Sequence, residues 1–170
     1  MRFKYLILFL FTFISFIQTK SNNIYLELFG PTVLGSINYE KSINNRLLIR
    51  AGFGLPVSYE KSSYVGDAKL RISPILIGVN YLRGNKIKLD LGGGFALWSM
   101  NYEGDIPIDL DGIDINTDGS FPVPFITLGS RYQNLEKIFN LKFGLSIMLL
   151  EFENTSGVLP NFYLGSGFLF

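Results

Sequence analysis

The stretch IKLDLGGGFALW, residues 87–98, decides the fold. Its residues fall on two faces when every second position is taken together. One face reads Ile87, Leu89, Leu91, Gly93, Phe95, Leu97; the other reads Lys88, Asp90, Gly92, Gly94, Ala96, Trp98. A helix would need matches at three and four residues, and three consecutive glycines would weaken it. The segment is a strand with one large apolar face and one face of small or charged residues. LKFGLSIML, residues 141–149, repeats the pattern, with Leu141, Phe143, Leu145, Ile147 and Leu149 opposite Lys142, Gly144, Ser146 and Met148.

The same period of two gives eight candidate strands: 23–29, 34–42, 45–54, 68–82, 86–99, 121–133, 140–153 and 159–170. Most reach the roughly nine to eleven residues that a tilted strand needs to cross a bilayer. Within 68–82 the apolar parity slips, from Leu70 and Ile72 to Ile75, Ile77, Val79 and Tyr81, so a β-bulge is expected at Ser73-Pro74. Connections near 43–44, 83–85 and 134–139 are tight; of the intervening ones at 30–33, 55–67, 100–120 and 154–158, the middle two are long, and the short one at 30–33 breaks the pattern. Tight and longer connections alternating between two rims describe an up-and-down barrel. Both chain ends then fall on the tight-turn rim, which in such a barrel faces the periplasm.

Composition supports a membrane setting. The chain is 48% hydrophobic and 15% aromatic but only 17% charged, against about a quarter charged in an ordinary soluble domain. Its only long apolar run is 6–17 (LILFLFTFISFI), preceded by Arg2 and Lys4 and followed by Gln18, Thr19 and Lys20. That order is the pattern of a secretory signal, and the run is short for a membrane-spanning helix. The expected division is a signal peptide over 1–21 and a barrel domain over 22–170.

Alternation alone does not say which face is inside. In a soluble lipocalin-like barrel the large apolar residues point inward, making it a periplasmic carrier of an apolar ligand; in a membrane barrel the polarity reverses. Reversal is favoured by the small residues of the polar face (Gly92, Gly94, Gly144, Gly165, Gly167), as a crowded lumen demands. The few charges on that face are of both signs: Glu27, Glu40, Arg50, Asp90, Arg131 and Lys142 are placed to pair across the interior. Aromatics near strand ends (Tyr25, Phe29, Tyr39, Tyr81, Trp98, Tyr102, Tyr132, Phe162) suit interfacial girdles.

The last strand, NFYLGSGFLF at 161–170, carries Phe162, Leu164, Phe168 and the terminal Phe170 on one parity. It resembles the closing strand of bacterial outer-membrane β-barrels, and the chain from 22 onward is similar to the small eight-stranded group typified by OmpX and the OmpA barrel. NIYLELFG, SINYEKSI and IGVNYLRG also resemble barrels of Bacteroidota-type bacteria. The resemblance implies an all-β, eight-stranded antiparallel transmembrane barrel in the outer membrane. It also implies contact with outer-membrane lipid, and recognition of the C-terminal strand by the insertion machinery.

Chemistry is sparse. The absence of cysteine and histidine removes thiol nucleophiles, disulfides, the commonest general base and the commonest metal ligand. A net charge of +1 does not suit nucleic acid. Ser99, Ser120 and Ser130 have no evident base, and the glycine runs lack the lysine and following Ser or Thr of a phosphate loop. The acidic segment 100–120 is the most distinctive: Asp114, Asn116, Asp118 and Gly119 match the opening of an EF-hand-type calcium loop, but Phe125 stands where its bidentate glutamate belongs. The favoured expectation is a solvated extracellular loop without a cofactor, with weak calcium binding as its alternative. The chain is therefore expected to be a non-enzymatic outer-membrane barrel with a structural or surface-interaction role. A small transport or ligand-binding barrel is the runner-up.

Overall fold

The computed structural model describes residues 22–63, 66–104, 108–110, 113–115, 118–134, 138–152 and 155–170. The expected signal segment 1–21 lies outside them. The strands are β1 (Asn22–Phe29), β2 (Gly35–Ser42), β3 (Leu47–Gly54), β4 (Val57–Ser63), β5 (Gly66–Gly84), β6 (Ile87–Gly104), β7 (Ile108–Leu110), β8 (Ile113–Ile115), β9 (Gly119–Asn134), β10 (Phe139–Phe152) and β11 (Thr155–Leu169).

Strands β3 and β4 are successive segments of one wall strand, both pairing with β5. The wall therefore contains eight antiparallel strands, ordered β3/β4, β2, β1, β11, β10, β9, β6, β5, and the β3–β5 pairing closes it. The start of β1 and the residue that follows β11 meet on the short-turn rim, where Asn22 N donates to Phe170 O at 3.1 Å and Phe170 N donates to Asn22 O at 3.0 Å.

Three sequence expectations need correction. The bulge is not in the strand that carries Ser73 and Pro74: β5 and β6 pair in unbroken register from Ala68–Gly104 to Gly84–Lys88, with Pro74 opposite Trp98. The extra residue sits on the neighbouring strand. Between Phe53–Ile75 and Val57–Ile72 that strand advances four residues while β5 advances three, so the bulge falls at 54–56. Pro74 has no N–H to offer, and it lies where the bulge interrupts the ladder. The apolar parity of β5 changes because its surroundings change. Even-numbered residues point inward throughout, but the outward residues pass from Ile75, Ile77, Val79 and Tyr81 to Ser73, Arg71, Lys69 and Asp67. The strand leaves the apolar band near Ser73 and continues into water.

The second correction concerns the aromatics. Phe29, Tyr81, Tyr132 and Phe162 are exposed on the outside, but Tyr25 is buried in the lumen, and Trp98 and Tyr102 pack against inward-facing apolar residues. The predicted 55–67 and 100–120 connections are also shorter than expected, because β4 and the upper halves of β5 and β6 occupy part of them.

The face assignment is decided by exposure. Leu26, Ile37, Phe53, Ile77, Phe95, Ile126, Phe143 and Phe168 stand more than half exposed on the outer wall, while Glu40, Asp90 and Arg131 are fully buried. A soluble carrier would show the opposite. An apolar exterior around a charged interior is stable only where the outside is lipid.

Candidate functional site

The inward ladder along β9 and β10 orders the lumen from the short-turn rim upward. Arg131 pairs in register with Lys142, Gly129 with Gly144, Thr127 with Ser146, and Phe125 with Met148. Each step of two residues is one inward layer, so the lumen passes from charged, through small and hydroxylated, to apolar.

In the charged layer the six residues picked out by parity come together as three cations and three carboxylates. Arg131 hydrogen-bonds Glu40 Oε1 at 2.9 Å through Nη2 and Asp90 Oδ2 at 2.9 Å through Nε and 2.6 Å through Nη2. Arg50 pairs with Glu27 and donates through Nε to Asn38 Oδ1 at 3.0 Å. Lys142 Nζ lies 3.1 Å from Glu27 Oε2, donates to the Tyr25 hydroxyl at 3.0 Å and sits 4.3 Å from the centre of the Tyr25 ring. Tyr25 in turn donates to Glu40 Oε1 at 3.0 Å. Asn23 and Asn80 complete the carboxylates' partners, donating to Glu40 Oε2 and Asp90 Oδ1 at 3.1 and 2.6 Å. Charges so deeply buried persist only when paired and hydrogen-bonded. Parity located the six charges; Tyr25, Asn38 and Asn80 were missed, although Tyr25 and Asn38 share the parity of Glu27 and Glu40 in their own strands, whereas the inward face of β5 that carries Asn80 holds no charge.

Above lies an apolar layer of Leu76, Ala96, Val123, Phe125 and Met148, with Val33, Trp98, Phe121 and Leu150 packed against it. Val33 comes from an unexpected place. The connection between β1 and β2 folds inward as a single 3-10 turn, Gly30–Thr32, all three residues buried. Phe29 and Val33 at its ends adopt φ values of 61° and 71°, strained for non-glycine residues. Asn161 Nδ2 donates to Gly30 O at 3.3 Å and ties the turn to β11. Gly30 is required: a Cβ there would lie 2.9 Å from Glu27 Oε1 and 3.3 Å from Tyr163 Cβ. The charged layer, the turn and the apolar layer together fill the bore.

Outside the bore, a cleft of about 510 Å³ opens among the upper ends of β4, β5 and β6, lined by Glu60, Lys61, Ser62, Asp67, Lys69 and Glu103. Lys69 Nζ lies 2.7 Å from Glu60 Oε1, and that hydrogen bond raises the lysine pKa. Of the calcium candidates, Asn116 lies outside the described residues and Asp114 belongs to β8, in register with Asp109. Asp118 Oδ1 accepts the Tyr102 backbone N–H at 2.7 Å, which fastens the loop's return to β6. Among the described residues no three acidic side chains form a metal-sized group. Ser99 and Ser120 are register partners and Ser120 is exposed.

No family model and no curated protein matches the sequence. Among solved structures, the N-terminal β-barrel domain of Pseudomonas aeruginosa OprF aligns with a TM-score of 0.54 at 15% identity, over 87% of this chain and 98% of that one. The chain has the fold of the small outer-membrane barrels. Yersinia pestis Ail, described as an attachment invasion locus protein, aligns at TM-score 0.47 and 13% identity, over 88% of this chain and 94% of that one. Neisserial surface protein A aligns at 0.47 and 16%, over the same shares. The barrel's apolar exterior agrees with that fold and makes it an integral outer-membrane protein.

Proposed function

We propose that the barrel is a closed, non-enzymatic outer-membrane protein whose working surface is its outer rim. The observation that carries this reading is the filled bore: a neutralised charged layer, an inward turn and an apolar layer succeed one another along the lumen. An eight-stranded barrel has room chiefly for its own side chains. Strands β4, β5 and β6 meanwhile extend past the apolar band and present Glu60, Lys61, Asp67, Lys69, Arg71 and Glu103 to solvent. A mixed-charge surface above the membrane is built for contact with a surface or partner, not for permeation. Export through the 1–21 signal and assembly through the C-terminal strand complete the reading.

Planar-bilayer recording of the refolded barrel tests it. The expected record shows no stable unitary steps. Reproducible steps of one size would replace the closed barrel with a small transport barrel and move the functional surface into the lumen.

A further inference from the structure

The two rims of the barrel differ in charge. On the short-turn rim, Lys41 ends the outward face of β2 and Arg83 that of β5, while Arg46 and Lys86 stand on the turns that follow these strands. The two turns are neighbours: Leu82 N donates to Arg46 O at 2.7 Å, which sets Arg46 beside Arg83. Asn44 Oδ1 accepts the backbone N–H groups of Arg46 and Leu47, each at 2.9 Å, and pins the first turn. Gly84, at a φ of 134°, opens the second.

Among the described residues this rim exposes no carboxylate. Glu27, Glu40 and Asp90 are buried in the lumen, and the other acids lie on the raised parts of β4, β5, β6 and β10 or between β6 and β9. Arg46, Arg83 and Lys86 are exposed and form no ion pair among the described residues. Apolar side chains border them. Arg83 continues the outward stripe of Ile75, Ile77, Val79 and Tyr81, and Lys41 continues that of Ile37 and Tyr39. Ile43 and Ile87, beside the same two turns, are 55% and 70% exposed. From Arg71 to Arg83, at about 3.3 Å per residue and a tilt of about 40°, β5 climbs about 30 Å along the membrane normal. Arg83 therefore stands at the headgroup plane, with hydrocarbon against the tyrosine next above it.

We propose that this corner of the rim is a docking site for an anionic phospholipid of the adjoining leaflet, its phosphate held by Arg46, Arg83 and Lys86 and its acyl chains laid along Ile43, Tyr81 and Ile87. The cations call for an anion, and a guanidinium fork matches phosphate oxygens. The exposed apolar chains beside them call for an anion with hydrocarbon attached. A soluble acidic polymer would satisfy the charges and leave Ile43 and Ile87 bare. The patch is also continuous with the lipid-facing wall, so a lipid fills it in the same plane as its neighbours. The opposite rim is not equivalent, because Lys69 there is paired with Glu60 at 2.7 Å and shares its cleft with Glu103.

Native mass spectrometry of the barrel refolded in a neutral detergent tests the proposal, with phosphatidylglycerol and phosphatidylcholine of equal chain length as probes. The wild type is expected to prefer phosphatidylglycerol for its first bound lipid by about fivefold, the gain from one cation beside an anionic lipid surface. The triple variant Arg46→Gln, Arg83→Gln, Lys86→Gln is expected to bind both lipids alike, with the mobility shift between unboiled and boiled samples showing that it folds. Arg71→Gln, at the other end of β5, is expected to keep the preference. Equal binding of the two lipids by the wild type overturns the proposal, as does a triple variant that keeps the preference or an Arg71→Gln variant that loses it. Polyglutamate that binds the wild type while neither lipid is preferred assigns the rim to a soluble acidic partner and overturns it too. If the triple variant does not fold, Arg83→Gln takes its place, and an unchanged preference there counts against the site.

Discussion

Replacing Arg131 by Met retains much of the side chain's apolar length and removes its charge. Arg131 is fully buried and is the shared partner of Glu40 and Asp90, making several hydrogen bonds to the two carboxylates. Glu40 would keep Tyr25 and Asn23, with Lys142 Nζ 3.8 Å away. Asp90 would keep the Asn80 amide. Two carboxylates would then face a lumen short of one positive charge. Removing one partner of a buried pair costs about 3–5 kcal/mol, roughly a hundredfold to a few thousandfold in the folding equilibrium. The assay is urea unfolding in lipid vesicles, followed by Trp98 fluorescence and by the mobility shift between unboiled and boiled samples. Arg131→Met is expected to move the midpoint to clearly lower urea. Adding Glu40→Gln and Asp90→Asn, which neutralises the abandoned acids, is expected to recover most of the loss. A single variant costing less than about 1 kcal/mol would place the pair in the range of solvent-exposed ion pairs and refute the buried charged layer.

Other consequences are as direct. Phe143→Arg and Ile77→Arg, on the outer wall, should each cost about 2–4 kcal/mol if they lie near the bilayer midplane, whereas Arg71→Leu above Ser73 should leave the urea midpoint nearly unchanged. Equal effects at both heights would contradict the lipid-facing band. Gly144→Val should abolish the heat-modifiable form, because its Cβ would meet the backbone of Leu128 and Gly129 as well as the Tyr163 hydroxyl; the gel shift after refolding checks it. Deleting Phe170 removes the backbone pair with Asn22 that ties the end of the last strand to the start of the first, and slower folding into vesicles, measured by the gel shift over time, is the expected result. Calcium titration of the intact barrel should leave the melting temperature unmoved if the 100–120 segment is simply solvated, and an upward shift at millimolar calcium would favour the Asp114, Asn116 and Asp118 site.

The wall was legible because lipid on one side and a narrow lumen on the other impose opposite demands on alternate residues. Leu89 and Asp90, or Phe143 and Lys142, cannot exchange faces without unpairing a charge in hydrocarbon. The same logic found the six fully buried charges among the described residues, since a charge on the small-residue face is either paired deep in the lumen or, like Lys88, part-buried nearer the rim against Gln133. It failed wherever one of the two environments changed. In β4, VSYEKSS has little apolar alternation because the strand has risen out of the bilayer, and it read as loop. In β5, the change from lipid to water outside Ser73 imitated a slip of the chain, and the bulge was assigned one strand too far along. Tyr25 was misplaced because a tyrosine near a strand end serves a girdle or a buried carboxylate equally well; only Glu40, fifteen residues away and beside it in space, distinguishes them.

The turn at 30–32 links fold to function. Strands β1 and β2 have eight residues each, whereas β5 and β6 have nineteen and eighteen, so the wall is lowest where this turn lies. A conventional exposed loop there would leave the bore open from the side. Instead the chain accepts positive φ at Phe29 and Val33 and turns inward, which sets Gly30 on Glu27 and delivers Val33 to the apolar layer. Strain of about 1–3 kcal/mol at each such residue is tolerated only where the surrounding structure holds it, and the packing against β5, β10 and β11 supplies that hold. The cost is spent on closing the barrel. On the closed-barrel proposal, the strained turn belongs to the seal beneath the tall, charged sheet.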